Sequence, residues 1–368
     1  MRPLIVDLGR EYRGGQHQAW LLVRGLRERG HAAELIAVRD SLLTLRAKEI
    51  GARVHVADPG RRRLTAALQI RKFVDEHRND LVHANEPHAL SSAWLARAHR
   101  AVPIVISRRI ALPLSKGTFS LARYRAAARV IAVSHFVEQA VIQSGLSADR
   151  VSVIYDGVEI CPEISQAQRR AARNQLGITL DIPCIGNVAA FVPEKGHALL
   201  LDAFAKVRAR FPKCVLLLRG EGPELAKLQS RSRTLEVAPA VKFLPPSIDI
   251  ETVFSAIDIF AFPSHAEPLG SALLAAMAHA LPVTAVERGG IPEVLEDGKN
   301  GLLVQDLDPV AFSSSIARLM AHPDEAIRLG KAARETAMER FSANQMVEDT
   351  LRLYEYLAAP GMGLKSRR

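Results

Sequence analysis

The feature that most constrains the fold is a regular alternation of short, β-branched apolar runs with longer segments of helical periodicity. Ala19, Leu22, Val23 and Leu26, for example, share one face of a helix. Strands that alternate with helices form parallel sheets with crossover helices on their faces. The strand candidates of the first half are residues 3–9, 33–39, 53–57, 80–85, 103–108, 129–134 and 151–158.

The pattern restarts after a charged helical stretch, QAQRRAARNQLGI (166–178), which we interpret as a domain junction. A chain of 368 residues is also of a length typical of two domains. We predict two doubly wound α/β domains, 1–165 and 166–343, followed by a C-terminal helix and tail, 344–368, with ligands at the carboxyl ends of the strands. The second-half strand candidates are 183–191, 214–222, 241–245, 259–264, 282–287 and 301–304.

Positive charge is concentrated in the first half of the chain. The net charge is +10, and residues 1–160 hold 25 Lys and Arg against 15 Asp and Glu, whereas the remainder is balanced at 24 and 24. This favours an anionic partner for the first domain: an acidic membrane surface, a phosphorylated glycan or lipid, or nucleic acid. The alternative is an arginine-rich composition on solvated helix faces. Aromatic residues make up only 5% of the chain, so stacking platforms for nucleic acid are scarce, and we expect no nucleic-acid partner.

The three cysteines, Cys161, Cys184 and Cys214, are widely spaced and form no CxxC pair. Their spacing indicates neither a disulfide framework nor a zinc site, and we interpret them as buried thiols in a reducing cytoplasm. No apolar run approaches the roughly 18 residues of a membrane span. We therefore expect a cytoplasmic protein, soluble or peripheral at the inner face of the membrane.

Two glycines, Gly14 and Gly15, join the first strand to the first helix. Glycines at this point allow backbone N–H groups at a helix start to approach a phosphate, although a tight turn without a ligand is the alternative. Neither a GxGxxG nor a Walker A sequence is present, which disfavours NAD and ATP.

Histidines and arginines follow the fourth and fifth strands. His83 and His88 are candidate general bases, although a hydrogen-bonded structural role is more common for such histidines. Arg108 and Arg109 suit an anionic ligand at the carboxyl end of the fifth strand, and a solvated pair is the alternative.

The second half contains three segments with the chemistry of a binding site. In VPEKGH, Lys195 stands at a helix start, where it suits the counter-charge of a diphosphate; a surface lysine is the alternative. In HAEPLGSALLAAMA, Glu267 precedes a glycine and an apolar helix, and in ERGGIPEVLEDG a glycine pair precedes Glu293. GEGPE (220–224) is a further, weaker glycine turn.

Taken in order, these motifs resemble the family 4 glycosyltransferases (glycosyltransferases group 1), retaining enzymes with the GT-B fold. The resemblance covers nearly the whole chain: the Gly-Gly turn, RVIAVSHFVEQAVIQSGLSADRVSVIYDGVE, VPEKGH, LLLRGEGPEL and the block from 262 to 304. It implies two Rossmann-like domains facing across a cleft. The acceptor would bind mainly to the first domain and a nucleotide-sugar to the second, and the last helix would cross back to the first domain.

The resemblance also implies roles for individual residues. The family uses no catalytic metal, so the resemblance implies that no cofactor is needed. The nucleoside diphosphate sugar would be the donor substrate. Lys195 matches the family's lysine, Glu267 matches the first acid of its E-x7-E motif, which touches the donor sugar, and Glu293 lies in its GG-x-P-E turn. The predicted catalytic residues are Glu267, Lys195 and His83; the predicted donor- and phosphate-binding residues are Gly14, Gly15, Arg109, Lys195, Leu269, Gly270, Ser271 and Glu293.

Three positions depart from the family pattern. Ala275 replaces the second acid of E-x7-E, which in the family accepts hydrogen bonds from the ribose hydroxyls. Losing such a charge-assisted hydrogen bond costs roughly 1.5 to 3 kcal/mol of binding free energy. Ala190 stands where arginine is frequent, and Arg219, Arg108 or Arg109 are candidates to replace its charge. Arg108 and Arg109 also occupy the region of the family's cleft histidine.

We therefore predict a retaining glycosyltransferase that moves a sugar from a nucleoside diphosphate to a glycan or lipid-linked, anionic acceptor in cell-envelope synthesis. Two alternatives remain. The first alternative is a non-catalytic binding or scaffold protein with a degraded donor site. The second is a nucleotide-sugar epimerase or phosphorylase of the same fold.

Overall fold

The computed structural model describes residues 1–114 and 118–359, except for the side chains of 118 and 119. Its contacts divide the chain into two compact units, one formed by Met1–Gly157 with the segment from Ala343 onward, the other by Val158–Ser342. The sequence analysis placed the first junction eight residues later, at 165/166. Segment 158–165 packs with the second unit because the backbone N–H of Val158 donates to the carbonyl of Phe341 at 2.8 Å. The tail from residue 360 lies outside the described residues.

The first unit contains a seven-stranded parallel sheet of order β3-β2-β1-β4-β5-β6-β7. All seven strands lie within the stretches predicted from sequence. They are β1 (Pro3–Asp7), β2 (Glu34–Val38), β3 (Arg53–Ala57), β4 (Leu81–Ala84), β5 (Ile104–Arg108), β6 (Arg129–Ala132) and β7 (Val151–Val153). The helices between them are α1 (Gly14–Glu28), α2 (Leu42–Glu49), α3 (Arg62–Asp75), α4 (Pro87–Leu95), α5 (Thr118–Ala126) and α6 (His135–Gln143).

The second unit contains a six-stranded parallel sheet of order β10-β9-β8-β11-β12-β13, again within the predicted stretches. Its strands are β8 (Cys184–Val188), β9 (Val215–Arg219), β10 (Val241–Leu244), β11 (Ile259–Phe262), β12 (Val283–Val286) and β13 (Leu302–Val304). Its helices are α7 (Gln166–Gln175), α8 (His197–Arg210), α9 (Leu225–Thr234), α10 (Ile250–Ala256), α11 (Ser271–Ala278), α12 (Pro309–Ala321) and α13 (Pro323–Arg340). The two doubly wound α/β units confirm the predicted fold class.

The charged stretch interpreted as a junction, helix α7, is an integral part of the second unit. Arg173 of this helix is only 1% exposed and donates to Asp258 Oδ2 at 2.6 Å and to the carbonyl of Ala256 at 2.9 Å. A buried guanidinium needs such partners, because a desolvated charge without them is strongly unfavourable. Arg173 of this stretch therefore packs inside the second unit, and the stretch is not a linker.

The last helix, α14 (Ala343–Ala358), returns to the first unit, as the resemblance implied. Met346, Val347, Tyr354 and Leu357 of its apolar stripe are buried in the core of that unit. Gly25 of α1 allows the close approach, because a Cβ atom there would lie 2.6 Å from Val347 Cγ2.

Both sheets reverse their strand order at one point. In the first unit β1 lies between β2 and β4, and in the second β8 lies between β9 and β11. The loops that leave such neighbouring strands diverge to opposite faces and leave a crevice at their carboxyl ends. The segments after β1, β4, β8 and β11 are therefore the places to look for a site.

Candidate functional site

Lys195 and Glu267 form an ion pair at the crevice of the second unit. Lys195 follows β8 and Glu267 follows β11, and Lys195 Nζ lies 2.6 Å from Glu267 Oε2. Their side chains are 23% and 9% exposed, so the pair lies at the edge of the protein interior. Sequence analysis proposed both residues separately, and the structure brings them into direct contact.

Gly196 allows Lys195 to reach this position. It has φ +69°, and a Cβ atom there would lie 2.2 Å from the carbonyl oxygen of Pro263, at the start of the loop after β11. Ser264 of the same loop adds a hydroxyl 3.0 Å from Glu267 Oε2. The Glu267 carboxylate therefore has a cation and a hydroxyl on one oxygen.

Helix α11 starts at Ser271, four residues beyond Glu267. Gly270 precedes the helix with φ +105°, and the first helical hydrogen bond runs from the N–H of Leu274 to the carbonyl of Gly270. Gly270 provides no side-chain cap for this start of the helix. Ser271 is exposed, whereas the Leu269 side chain is 2% exposed and packs inward, so Leu269 offers only its backbone. The helix start thus presents amide donors next to the ion pair.

A glycine pair after β12 holds the backbone of Glu267 in place. The N–H of Gly290 donates to the carbonyl of Glu267 at 2.9 Å, and a Cβ atom on Gly289, which has φ +63°, would lie 2.2 Å from that carbonyl oxygen. Glu293 ends the short 3₁₀ turn that follows, and its own carbonyl accepts from Arg340 at 3.1 Å. Two segments distant in sequence, around Lys195 and around Gly290, therefore converge on Glu267.

The glycines of GEGPE shape the loop after β8. Cβ atoms on Gly220 and Gly222 would lie 2.0 Å from the carbonyl oxygen of Ala189 and 2.4 Å from that of Phe191. Arg219, one candidate for the missing charge at Ala190, donates to the carbonyls of Ile248 and Pro246, both at 2.7 Å. Its guanidinium is thus engaged by a neighbouring loop.

In the first unit, a polar network lies at the crevice between β1 and β4. The buried carboxylate of Asp7 accepts from Asn85 Nδ2 at 2.6 Å and from Gln16 Nε2 at 3.0 Å. Arg109 Nε donates to Asp156 Oδ1 at 2.8 Å, and Arg109 Nη1 donates to Asn85 Oδ1 at 2.8 Å. Arg109, predicted as a phosphate ligand, thus already has an internal counter-charge.

Gly14 and Gly15 open α1 beside this network. Gly14 is exposed, and the carbonyl of Gly15 accepts from Asn85 Nδ2 at 2.9 Å. A Cβ atom on Gly15 would lie 3.9 Å from Arg109 Cδ, which is ordinary contact. The structure therefore places Gly15 beside Arg109.

His83, predicted as a catalytic residue, has a structural role instead. It is 1% exposed, and its Nδ1 bonds to the Tyr354 hydroxyl of α14 while its Nε2 lies 2.7 Å from Ser107 Oγ. Burial, with the nearby Arg109 charge, lowers the pKa of His83 to about 3. Both ring nitrogens are occupied within the protein, so His83 has no atom available for a substrate proton.

Arg108 likewise does not emerge toward a ligand. It is 6% exposed and donates to the Tyr124 hydroxyl at 3.1 Å and to the carbonyl of Leu112 at 2.5 Å. His88, the other candidate base of the first unit, is half-buried.

Comparison with known proteins decides the family. Residues 12–160 match the family described as Glycosyltransferase Family 4, and residues 168–336 match the family described as Glycosyl transferases group 1. The chain is a family 4, group 1 glycosyltransferase. This confirms the resemblance drawn from the motifs.

The glycosyltransferase resembles curated and solved proteins along much of its length. It is 29% identical over 323 residues to the D-inositol 3-phosphate glycosyltransferase of Saccharomonospora viridis, covering 80% of this chain and 74% of that protein. It is 32% identical over 195 residues to the GDP-mannose-dependent alpha-(1-6)-phosphatidylinositol monomannoside mannosyltransferase of Mycolicibacterium smegmatis, covering 50% of each. The crystal structure of Anabaena HepE in complex with UDP and glucose matches with a TM-score of 0.83 at 25% identity, over 96% of this chain and 99% of that one.

Sequence analysis of the glycosyltransferase overlooked Glu86, which immediately precedes α4 at the first-unit crevice. Its carboxylate accepts from the N–H groups of Ala89 at 2.7 Å and His88 at 2.5 Å. Burial, together with the charge of Asp7, raises the pKa of Glu86 to about 7 against these backbone bonds. Perturbed acids of this kind cluster at functional sites. The segment NEPHAL indicates a helix start, because an acid is followed there by proline. The burial that raises the pKa of Glu86, however, depends on the tertiary structure.

The raised pKa of Glu86 predicts a pH-dependent stability. Between pH 4.5 and about 7 the folded state holds a proton on Glu86 that the unfolded state has lost, so this residue makes the protein less stable as pH rises through that window. Glutamine at this position stays neutral at every pH. The melting temperature of Glu86→Gln minus that of the wild type should therefore increase as pH rises from 4.5 to 7.

Thermal unfolding of both proteins across this range is the measurement. Glu49→Gln, at an exposed glutamate of α2, controls for a general loss of negative charge. A difference between Glu86→Gln and the wild type that is constant with pH would contradict the assignment.

Proposed function

We propose that the second unit of this glycosyltransferase binds a nucleoside diphosphate sugar through Lys195 and the start of α11. The observation that carries the proposal is the 2.6 Å pair of Lys195 with Glu267 beside a helix start without a side-chain cap. A diphosphate would compete with Glu267 for Lys195 and take the amide donors of α11. Glu267 would then be free to accept hydrogen bonds from hydroxyl groups of the donor sugar.

In this mechanism the protein itself supplies the positive charge that the leaving diphosphate requires. The ammonium of Lys195 and the amides at residues 271–273 act as fixed donors, which stabilise developing charge without reorganisation. We propose on this basis that transfer needs no metal ion. HepE, a structural neighbour crystallised with UDP and glucose, supports the donor class.

Retention is proposed to proceed by attack on the same face as the departing diphosphate. The bond from the anomeric carbon to the phosphate oxygen breaks, the bond to the acceptor oxygen forms, and the acceptor proton passes to the leaving phosphate. This route needs no side-chain base. It agrees with the burial of His83, whose ring nitrogens are both occupied.

For the acceptor, we propose a phosphate-bearing glycan or glycolipid at an anionic membrane. The name of one relative specifies D-inositol 3-phosphate and that of another a phosphatidylinositol mannoside. The positive excess of this chain lies in residues 1–160. Helix α3 exposes Leu64 at 56% and Leu68 at 71%, together with Arg63 and Arg71. Exposed leucines among arginines suit contact with an anionic lipid surface.

This contact is proposed to be peripheral. No helix within residues 1–114 and 118–359 is long and apolar enough to cross a bilayer. The arginines of α3 would approach lipid phosphates, while Leu64 and Leu68 would enter the headgroup region.

The donor site predicts that Lys195→Ala and Glu267→Ala each lower kcat/KM by more than about tenfold, since each removes a contact worth at least about 1.4 kcal/mol in the transition state. Initial rates measured with UDP- and GDP-sugars test this. Lys227→Ala is the matched control, because Lys227 pairs with Glu224 at the same 2.6 Å on the surface of the same unit. Near-normal rates in both site variants would refute the assignment, and failure to bind any nucleoside diphosphate would favour the scaffold alternative.

Position 275 predicts a gain of function. Ala275 lies on α11, one turn after Ser271, and is partly exposed. Ala275→Glu should strengthen binding of the preferred nucleoside diphosphate by about tenfold, the value of one charge-assisted hydrogen bond to the ribose. Calorimetric titration of the variant and of Ala275→Gln measures the effect. Unchanged or weaker binding of the glutamate variant would show that another group already holds the ribose.

The membrane proposal predicts that the protein sediments with phosphatidylglycerol vesicles more than with phosphatidylcholine vesicles, and less so at high salt because salt screens the arginine charges. Leu64→Ser combined with Leu68→Ser should lower this binding several-fold. Ile327→Ser is the control, since Ile327 is an equally exposed apolar residue of α13 at 56%. Equal binding to both vesicle types, or no effect of the leucine changes, would contradict the proposal.

A further inference from the structure

A second group of chemically active side chains lies in the second unit, outside the donor site. Cys161, Glu251 and His279 each offer one ligand atom, and these three atoms lie within 4.8 Å of one another. Cys161 belongs to the segment that enters the unit, Glu251 lies in the first turn of α10, and His279 immediately follows α11. The donor site lies at the opposite end of α11.

The imidazole of His279 is held rigidly in this cluster. Its Nδ1 lies 2.7 Å from the carbonyl of Ala275, and its ring stacks on Phe254 with centroids 4.9 Å apart. A hydrogen bond from Nδ1 to a backbone carbonyl leaves Nε2 as the ligand nitrogen, an arrangement typical of metal-binding histidines. Nε2 points at Glu251 Oε2, at 2.7 Å.

The cysteine is also positioned by the scaffold. Arg334 Nη2 donates to the carbonyl of Cys161 at 2.5 Å, and its Nη1 donates to the carbonyl of Ala278, next to His279. One guanidinium therefore joins the backbone of Cys161 to the residue that precedes His279. Cys161 is partly exposed, whereas Cys184 and Cys214 are buried.

We propose that Cys161, Glu251 and His279 bind a zinc ion, with the fourth position open to water. Thiolate, imidazole and carboxylate together form a donor set that zinc prefers over magnesium or calcium. The ion would lie at the carboxyl end of α11, where the helix dipole favours a cation. Bound there, it fastens the entering segment to α10 and α11 and so stabilises the second unit. It is separate from the donor chemistry.

A simple His279–Glu251 ion pair is the competing explanation, and it makes no use of the thiol. The two explanations differ in one observable, which is a metal–sulfur bond. Cobalt(II) is the probe, because it replaces zinc in such sites and gives a sulfur-to-cobalt charge-transfer band when a thiolate is bound.

The experiment titrates the reduced, metal-free full-length protein with cobalt and then with zinc. We expect one equivalent of cobalt to produce the charge-transfer band and zinc to abolish it. Cys161→Ser should lack the band, and Glu251→Gln, at an exposed position, should bind zinc at least about tenfold more weakly. Zinc should raise the melting temperature of the wild type but not of Cys161→Ser.

Glu339→Gln, at an exposed glutamate of α13, is the control and should bind zinc as the wild type does. The proposal is overturned if the wild type shows no charge-transfer band, if the band persists in Cys161→Ser, or if Glu251→Gln binds zinc with unchanged affinity.

Discussion

The structure of the candidate donor site depends on the parallel pairing of β8 with β11, where the strand order of the second sheet reverses. The loops that follow these two strands contact each other at Gly196 and Pro263. Only glycine fits at position 196, because a Cβ atom there would lie 2.2 Å from the carbonyl oxygen of Pro263. The contact places a lysine from one loop beside a glutamate from the other. Every other element of the site, from the start of α11 to the glycine pair after β12, is built on the backbone around that glutamate.

The two units use the same strand-order reversal with different electrostatics. In the second unit Lys195 and Glu267 neutralise each other at a partly open edge, where their side chains are 23% and 9% exposed. In the first unit Asp7, Asn85, Arg109 and Asp156 satisfy one another inside the protein. Its network is therefore better suited to positioning the start of α1 and Glu86 than to binding a phosphate directly.

Prediction from sequence succeeded where a residue's role is local. The Gly-Gly turn at α1, the lysine at the start of α8 and the acid before α11 are all found at the ends of the predicted elements, since glycine and capping chemistry act within a few residues. His83 shows the limit. Its position near the end of a strand suggested catalysis, but its two hydrogen-bond partners lie 24 and 271 residues away, and only the folding of α14 onto the first unit brings Tyr354 to it.

The sequence by itself determined the alternation of strands and helices, the two α/β units, the family and the residues of the donor loops, because periodicity and turn chemistry are written in neighbouring residues. Tertiary structure alone decided which charges are paired, which histidines are buried and that Glu86 carries a raised pKa. It also brought together Cys161, Glu251 and His279, whose separation in the chain hides them from any spacing rule. Burial and long-range contact set these properties, and neither is encoded at a fixed distance along the sequence.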